Sequence, residues 1–550
     1  MRPRPILRRL LGPRSSGKKT HLPFFRTFVH HSPLRVRPSS RPRLPFLTIP
    51  VTGRNTQKFG VLFYVAFMAF GAVSWAVQQE NLEREYPTPH SWSYRTRIYF
   101  RNARSLRDVK DSAPNWEKIM EIAESVVKRL EDPTIDGQGV RDASHDCPPG
   151  TKDITAKDEN WRRGYFESMM LYASAAQMMH GWMRDKTRDI MFPPEVIIGP
   201  SNPRPKPIRP GQASAPREED CEYVYPAADD IYMRIVCTEG FTVRQKMEAA
   251  LAHASWLEYC QLPGPASIMY ERAVDLALEG DRASTHPLTN PTETKSWAIK
   301  ELSSPSSHPP SANLFTSLTA LATFQARSGN VSSALPILIS LLQARKALPN
   351  PPPSPTVRHQ QQNITKTVIN LLKPPSYPPP PPDGTQPPVR DAKELCEEAA
   401  LHLHIGEILY STRTESREEG LAWTRDAVDI SEEQLRNLGP EASQAARPAK
   451  ETCRACLSAG LDNWTIMVGR LAEEERRRKE TGLVGQVVGK SAGGWFGGLW
   501  GSGVEEKEED VDRWAAEEKV VQERRTRTAE LLEEVEPPKS WLDLKAIFTV

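Results

Sequence analysis

Cys453 and Cys456 form a CxxC motif, the spacing of a redox-active disulfide or of half a zinc site. The motif has no second pair at zinc-ligand spacing, and its surroundings predict a helix rather than the strand and turn of a redox site. Two small buried residues are the better interpretation. The pattern leaves open whether Cys453 and Cys456 are oxidised.

Two other patterns resemble ligand sites. GQVVGKS, residues 485–491, looks like a phosphate-binding loop, but three residues separate its glycines instead of four and no strand pattern precedes it. His402 and His404 are two residues apart on a predicted helix, so their side chains point to different sides. The sequence also lacks HExxH and GxSxG. We therefore predict that the protein is not an enzyme and has no catalytic residue, cofactor or metal ion.

The elements around these motifs begin with an apolar run, FGVLFYVAFMAFGAVSWAV, from Phe59 to Val77. It carries no charge, and as a helix it would be about 28 Å long, close to the ~30 Å hydrocarbon core of a bilayer. A buried core helix is the alternative, but such helices usually show a polar face. We predict a single transmembrane helix over 59–77.

Residues 1–58, ahead of this span, contain fourteen Lys and Arg and no Asp or Glu. This composition is typical of a mitochondrial transit peptide. It predicts an inner-membrane protein with its N-terminus in the matrix and its C-terminal domain in the intermembrane space. A basic cytosolic tail on an endoplasmic-reticulum signal anchor is the alternative.

The charge of the rest of the chain limits its partners. Beyond the leader, 58 of the 72 basic residues remain against 69 acidic ones, a net charge of −11. Because nucleic-acid binding requires a basic surface, we expect no nucleic acid among the partners.

Helical periodicity runs through most of the chain after the span. In residues 114–130, apolar side chains recur at i, i+3 and i+4; these are Ile119, Ile122, Ala123, Val126, Val127 and Leu130. No alternating strand pattern recurs, so we predict an all-α fold with a helical solenoid over 110–475.

Pro-rich and Ser-rich stretches interrupt this pattern, and we predict inserts at 193–217, 281–312 and 349–388. A Pro-rich run takes an extended, solvated conformation and does not enter a helical core. A spacer is the preferred interpretation of 349–388, and a ligand for an SH3 or WW domain is the alternative.

Residues 315–348 match the roughly 34-residue tetratricopeptide unit, in which small residues let two antiparallel helices approach closely. The pattern residues of this block are Leu318, Leu321, Ala322, Gly329, Ala334 and Leu338. Three further blocks match less fully, through Ala254, Ala266, Tyr270 and Ala273, then Gly406, Tyr410, Gly420 and Ala427, and finally Gly460 and Trp464. Together they predict a tetratricopeptide-like solenoid.

The C-terminal region differs from these blocks. Residues 482–503 combine many glycines with three aromatic side chains, which disfavours an isolated helix. We interpret this segment as a flexible hairpin insert; a loop that dips into the membrane interface or a partner is the alternative. A charged helix is predicted over 505–535, with Trp514 and Val521 among its apolar positions.

The order of the segments, a basic leader, one span and then repeats, resembles that of the tetratricopeptide adaptor subunit of the fungal mitochondrial i-AAA protease supercomplex. The segment CRACLSAGLDNWTIMVGRLAEEE from 453 adds to the likeness. The resemblance implies a non-catalytic adaptor, anchored in the inner-membrane lipid. Such an adaptor binds unfolded client proteins and delivers them to the i-AAA protease and its other adaptor subunit.

Two alternatives belong to other functional classes. One is an inner-membrane scaffold for respiratory-complex assembly, and the other is an endoplasmic-reticulum quality-control adaptor. Glycosylation sequons at Asn330, Asn363 and Asn463 would be used only in the secretory compartment.

Overall fold

The computed structural model describes residues 53–109, 113–143, 147–208, 211, 213–281, 309–351, 377–412, 416–439, 446–490 and 513–532. The predictions for the leader up to residue 52 and for the central parts of two inserts, 282–308 and 352–376, lie outside the described residues. So do those for 491–503 and for the two ends of the predicted C-terminal helix, 505–512 and 533–535.

The described residues fold into fourteen α-helices. These are α1 Gly53–Glu85, α2 Tyr94–Arg107, α3 Trp116–Glu131, α4 Glu159–Met178, α5 Ala228–Cys237, α6 Val243–Tyr259, α7 Pro263–Asp281, α8 Ala312–Arg327, α9 Val331–Lys346, α10 Ala392–Thr412, α11 Arg417–Leu438, α12 Arg447–Lys490, α13 Arg513–Arg527 and α14 Ala529–Leu532.

Polar side chains fix where several helices begin. At α3, the side-chain oxygen of Asn115 accepts a hydrogen bond from the Lys118 amide at 3.1 Å. At α6, the Thr242 hydroxyl accepts from the Gln245 amide, and the Gln245 side chain accepts from the Thr242 amide. This reciprocal capping box satisfies two N–H groups that a helix start otherwise leaves without partners.

Consecutive helices pack against one another along the chain: α6 on α7, α8 on α9, and α10 on α11. α12 packs on both α10 and α11, and α13 packs on α12. One hydrophobic core extends from Trp92 in sequence to Ile408, and a second joins the helices from α10 to α13. The prediction of a mostly helical chain is therefore confirmed.

Short strands are the part of the fold that the all-α prediction missed. β1 Arg141–Asp142 pairs antiparallel with β2 Lys152–Asp153, and β3 Met183–Asp185 lies between β4 Ile190–Phe192 and β5 Cys221–Glu222. Strands of two or three residues are too short to show an alternating pattern in sequence.

The predicted insert at 193–217 belongs to this small β region. Ile197, within it, packs with Met183, Phe192 and Cys221 in a separate buried cluster. The insert therefore contributes to a satellite core in addition to connecting β4 to β5.

The predicted repeat residues lie mostly at helix–helix contacts. Buried among the described residues are Ala254, Ala266, Tyr270, Ala273, Leu318, Leu321, Ala322, Ala334, Leu338, Gly406, Tyr410, Gly420, Ala427, Gly460 and Trp464. Gly329 is exposed in the turn between α8 and α9, with φ at +87°, a conformation that favours glycine.

Two of these glycines lie where α10 and α11 cross with their backbones close together. A Cβ atom built on Gly420 would lie 2.6 Å from the Gly406 carbonyl oxygen, and one built on Gly406 would lie 2.7 Å from the Gly420 carbonyl oxygen. Any larger side chain at either position would therefore push the backbones of α10 and α11 apart.

The sequence leaves the oxidation state of Cys453 open. In the structure Cys453 is oxidised, but its partner is distant in sequence. Cys453 forms a disulfide with Cys396, which joins α12 to α10 across a sequence separation of 57 residues. Cys456 is a buried free thiol. The CxxC motif is therefore neither a redox pair nor half a zinc site.

Both ends of the helical body extend beyond the predicted 110–475. α2 precedes it, and α13 follows it, with Trp514 and Val521 in contact with the second core. α12 continues to Lys490, so the first nine residues of the Gly-rich segment 482–503 are helical rather than a flexible hairpin.

Glu407, on α10, is buried against Asn463 of α12, whose amide donates to its carboxyl group. Within the described part of the chain, the second Glu407 carboxyl oxygen and the Asn463 side-chain oxygen have no partner. Burial raises the pKa of Glu407 to about 7, so a neutral acid that donates to the Asn463 oxygen fits the site below that pH.

We expect Glu407→Gln to change how stability depends on pH. Between the unfolded pKa of 4.5 and the folded value, only the unfolded chain ionises, so the wild type loses about 3 kcal/mol of unfolding free energy as pH rises. The side-chain amide that this substitution introduces can donate to Asn463 at any pH, so the variant should be the more stable protein above pH 7. Denaturant melts from pH 4 to 8 measure the difference, with Glu419→Gln, at an exposed site, as the control; parallel curves for wild type and variant would contradict it.

Candidate functional site: the joint and the strap

The apolar segment of α1 is the one helix of the described residues that is long and apolar enough to cross a membrane, over Val61–Glu85. Its large side chains face outward; Phe63, for example, is 75% exposed. Val77, the predicted end of the span, is half-buried and Gln79 is buried. The change from exposed to buried therefore falls at the predicted boundary. The other predicted boundary, Phe59, lies in the first part of α1, which begins at Gly53.

Past this boundary α1 enters the helical body through a buried ionic cluster, which we call the joint: Gln79, Glu83, Thr88, Arg97 and Arg101. The Glu83 carboxylate accepts hydrogen bonds from the Thr88 amide at 3.0 Å and the Thr88 hydroxyl at 2.8 Å. It also pairs with Arg97 at 3.0 Å and contacts Arg101. One carboxylate thus ties α1 to the following loop and to α2.

The two arginines of the joint, Arg97 and Arg101, are largely removed from solvent. The Arg101 side chain is only 3% exposed, and it also donates to the Gln79 side chain at 3.2 Å. Burial lowers the pKa of both Arg97 and Arg101 from the ordinary arginine value. Because an isolated buried charge is strongly unfavourable, Glu83 is required for this arrangement.

An aromatic contact brings α2 back toward the span. Trp75, inside the apolar run, packs edge-to-face on Tyr94 at the start of α2, with ring centroids 6.3 Å apart. Both rings remain about half exposed, at 47% and 55%. Trp and Tyr side chains of this amphipathic kind are enriched where a membrane-spanning segment meets water.

Residues 377–391, the end of the third predicted insert and the three residues after it, form a second unusual feature, which we call the strap. Tyr377 at its start packs on the Arg163 guanidinium of α4, 4.2 Å from the ring centroid, and its hydroxyl accepts from Arg163 at 3.0 Å. Arg163 also donates to the Pro378 carbonyl at 3.1 Å. Burial raises the pKa of Tyr377 to about 12.

From α4 the strap runs past the first turns of α6 and α8. Its Pro382 carbonyl accepts from Arg244 of α6 at 2.7 Å. The Gln386 and Gly384 carbonyls accept from the Ala312 and Asn313 amides at 3.2 and 3.0 Å. The strap thus caps the start of α8 with backbone oxygens that α8 itself cannot supply.

These contacts add to the predicted spacer. The described end of insert 349–388 is exposed over 379–383 and 386–387, as expected of a solvated chain, but several of its carbonyl oxygens are also bound to the helical body. An extended Pro-rich chain has no internal backbone hydrogen bonds, so all its carbonyl oxygens are free to accept from a neighbouring surface.

The described residues contain no group of His, Cys, Asp and Glu side chains arranged to hold a metal ion. His402 packs edge-to-face on Trp423 with ring centroids 4.8 Å apart, and burial lowers its pKa to about 4. The described part of GQVVGKS, residues 485–490, is helical. His402 and the described part of GQVVGKS therefore both lie within helices.

Neither the joint nor the strap was found from the sequence. The acidic flank after the span was visible, but nothing in its spacing identified Glu83 as the partner of arginines on the next helix. Apart from Tyr377, the contacts of the strap with α4, α6 and α8 use main-chain oxygens, which leave no side-chain motif.

Comparisons with protein-family profiles, with curated proteins and with solved structures found no match.

Proposed function

We propose that this protein is a non-catalytic, membrane-anchored adaptor that binds unfolded or misfolded proteins and delivers them to the i-AAA protease in mitochondrial protein quality control. The joint carries the proposal, because it fixes an apolar, outward-facing helix to a large helical body. A protein built in this way holds a binding surface at a constant distance from a membrane.

The helical body supports a tetratricopeptide-like solenoid with a concave groove. Its helices form successive hairpins, small buried residues such as Ala254 and Ala322 lie between them, and Gly406 meets Gly420 where α10 crosses α11. Stacked hairpins of this kind expose extended surfaces that suit peptide segments of other proteins.

The Cys396–Cys453 disulfide supports an oxidising compartment for the helical body. The intermembrane space is such a compartment and the matrix is not. Together with the basic leader, this favours an inner-membrane protein with its N-terminus in the matrix and its C-terminal domain outside it.

The resemblance supplies the partners: the i-AAA protease, its other adaptor subunit, unfolded clients and the lipid of the inner membrane. Anchoring two proteins in one membrane raises their effective concentration, so a weak contact between adaptor and protease is sufficient.

Protease protection tests the location. In isolated mitochondria that carry a C-terminally tagged protein, we expect the tag to resist external protease until the outer membrane is ruptured, while a matrix marker stays protected throughout. Digestion in intact organelles, or the absence of a mitochondrial signal, would contradict the proposed orientation.

Removal of the span tests the adaptor role. A correctly targeted variant without residues 59–77 should lose most of its co-purification with the protease but keep its binding to unfolded peptides. The matched control replaces 59–77 with a leucine-rich span of equal length and should behave as the wild type. Undiminished protease association without a span would refute the proposal.

The same purification distinguishes the alternatives. Respiratory-complex subunits without the protease would favour the assembly scaffold. A glycosidase-sensitive mobility shift would favour the endoplasmic-reticulum adaptor; of the two described sequons Asn330 is exposed and Asn463 is buried, so Asn330→Gln should reduce that shift.

A further inference from the structure

The last two described helices, α13 and α14, lie antiparallel along α12. Glu518, early in α13, pairs with Arg476 at 3.1 Å, and Arg525, late in α13, pairs with Asp462 at 3.2 Å. A stripe of residues on one side of this segment is partly or fully buried, whereas most of the others are exposed; the stripe is Trp514, Glu517, Val521, Arg524, Thr528 and Leu531. These residues recur at alternating intervals of three and four, the spacing with which one helix lies along another.

The middle of this stripe is charged where a permanent helix contact would be apolar. Every residue of α13 is described, and Val521 alone is buried. It lies between Glu517 and Arg524 in the stripe. Polar residues at such positions specify the partner and register of a helix contact and lower its stability.

A buried tryptophan of α12 is the centre of the surface beneath the stripe. Trp464 is 3% exposed, and its indole N–H donates to the Glu517 carboxylate at 3.0 Å. Glu517 also pairs at 2.6 Å with Arg425 of α11, whose guanidinium lies over the Trp464 ring. Without α13, the indole N–H would lose this acceptor and the ring would lose its cover.

The arginine of the stripe completes the contact. Arg524 lies over the Trp464 ring, 5.6 Å from its centroid. Its guanidinium pairs with Asp429 at 2.5 Å and with Glu432 at 2.7 Å, both on α11. We call the residues of α11 and α12 that meet the stripe the receiving face; they are Arg425, Asp429, Glu432 and Trp464.

The contact of α13 with the receiving face is of a kind that can be released. Apart from Val521 and the partly buried Trp514, it consists mainly of ion pairs and hydrogen bonds. Ion pairs that remain open to solvent contribute little to stability and are weakened by salt. α13 therefore covers an aromatic surface while burying little apolar area of its own.

We propose that the receiving face is a docking site for an amphipathic helix of a client protein, and that α13 occupies it when no client is bound. The helix that fits presents a carboxylate, an apolar residue and an arginine at i, i+4 and i+7, as Glu517, Val521 and Arg524 do. These positions lie on one side of a helix. Calling this helix a client segment rests on the proposed function, whereas the exchange of one helix for another does not.

Two properties of the receiving face favour a helix from another protein. Its charges are of both signs and in a fixed order, which selects the partner and its orientation. Trp and Arg are also the residues that most often dominate the binding energy of an interface. An unfolded segment that becomes helical on binding can satisfy both.

The test uses the purified full chain and a fluorescent peptide of residues 513–532. Arg524→Glu places a carboxylate against Asp429 and Glu432 and should release the chain's own α13. We expect this variant to bind the peptide about tenfold more tightly than the wild type by fluorescence anisotropy, because the tethered helix no longer competes, and to bind it less tightly as salt is added. Glu523→Lys reverses a charge at an exposed position of α13 and is the matched control; it should bind the peptide as the wild type does. Equal binding by all three proteins, or binding by none, would overturn the proposal.

Hydrogen exchange of the wild type tests release without a substitution. The amides of α13 should exchange faster than those of α12 around Trp464, and salt should increase the difference. Protection of α13 equal to that of α12, with and without added salt, would make α13 a permanent part of the fold and overturn the proposal.

A charge exchange locates the bound peptide. Asp429 is 60% exposed, so Asp429→Lys is tolerated by the fold. A full chain that carries both Arg524→Glu and Asp429→Lys should lose the wild-type peptide and bind a peptide that carries Arg524→Glu. Unchanged binding of the wild-type peptide would place it elsewhere and overturn the receiving face as its site.

A competitor of general sequence tests the partner. An unlabelled helical peptide of alanine and glutamine, with Glu, Val and Arg at i, i+4 and i+7, should displace the fluorescent peptide from the Arg524→Glu chain. The same peptide with Arg, Val and Glu in that order should not. Displacement by neither would restrict the face to this chain's own helix and overturn client docking, while membrane anchoring and protease association, which are measured separately, would stand.

Discussion

The double variant Cys396→Ala/Cys453→Ala is expected to lose about 4 kcal/mol of unfolding free energy. The disulfide closes a loop across a sequence separation of 57 residues, and the chain-entropy estimate for a loop of that size is about 4 kcal/mol. It also joins two fully buried positions on α10 and α12. Because these helices belong to the second hydrophobic core, the loss should appear in the C-terminal helices.

Denaturant unfolding of the full chain, followed through the Trp464 environment, measures this loss. The matched control is Cys456→Ala, which removes a buried sulfur from the same helix without removing a cross-link and should cost roughly 1 kcal/mol. Reduction should bring the wild type to the stability of the double variant. Equal losses in the double variant and the control would show that the disulfide adds no stability.

The joint gives the second large effect. Glu83→Ala leaves Arg101 buried without its carboxylate partner, and breaking a buried ion pair in this way typically costs about 3–5 kcal/mol. The Thr88 amide and hydroxyl lose their acceptor at the same time. We therefore expect α2 to separate from α1 while the more distant helices stay folded.

Hydrogen exchange localises this effect, since amides at 86–107 should lose protection and those of α8 should not. Glu124→Ala is the control: it pairs with Lys128 at the surface of α3, where a pair contributes at most about 1 kcal/mol. Unchanged protection at 86–107 in Glu83→Ala would mean that the joint does not hold the two helices together.

The two parts of the fold that could be predicted are those that depend on local periodicity. The stripe of α3 and the end of the apolar run at Val77 agree with the structure, because 3.6-residue spacing and continuous apolarity are visible in a single segment. Helix crossings such as Gly406 on Gly420 were anticipated by residue size alone.

What could not be predicted depends on pairs of distant residues. Nothing in the local sequence relates Cys396 to Cys453, or Glu83 to Arg101, because the intervening chain can place them together or apart. The contacts of the strap could not be predicted for a different reason. Pro-rich composition correctly predicts an extended chain, but an extended chain can lie in water or along a protein surface. Which of the two occurs depends on donors elsewhere in the chain, such as Arg163.

The strap also bears on the order in which the chain completes its fold during synthesis. The side-chain amide of Asn313 and the guanidinium of Arg163 find their acceptors in residues made much later, across sequence separations of 70 for Asn313 with Asp383 and 214 for Arg163 with Tyr377. As the chain leaves the ribosome, the helices up to α9 are therefore made before these acceptors, and until then the donors bond to water. A chain that stops before Tyr377 ends as an incompletely capped intermediate, and translation through the last Pro-rich residues is the step that finishes the N-terminal half.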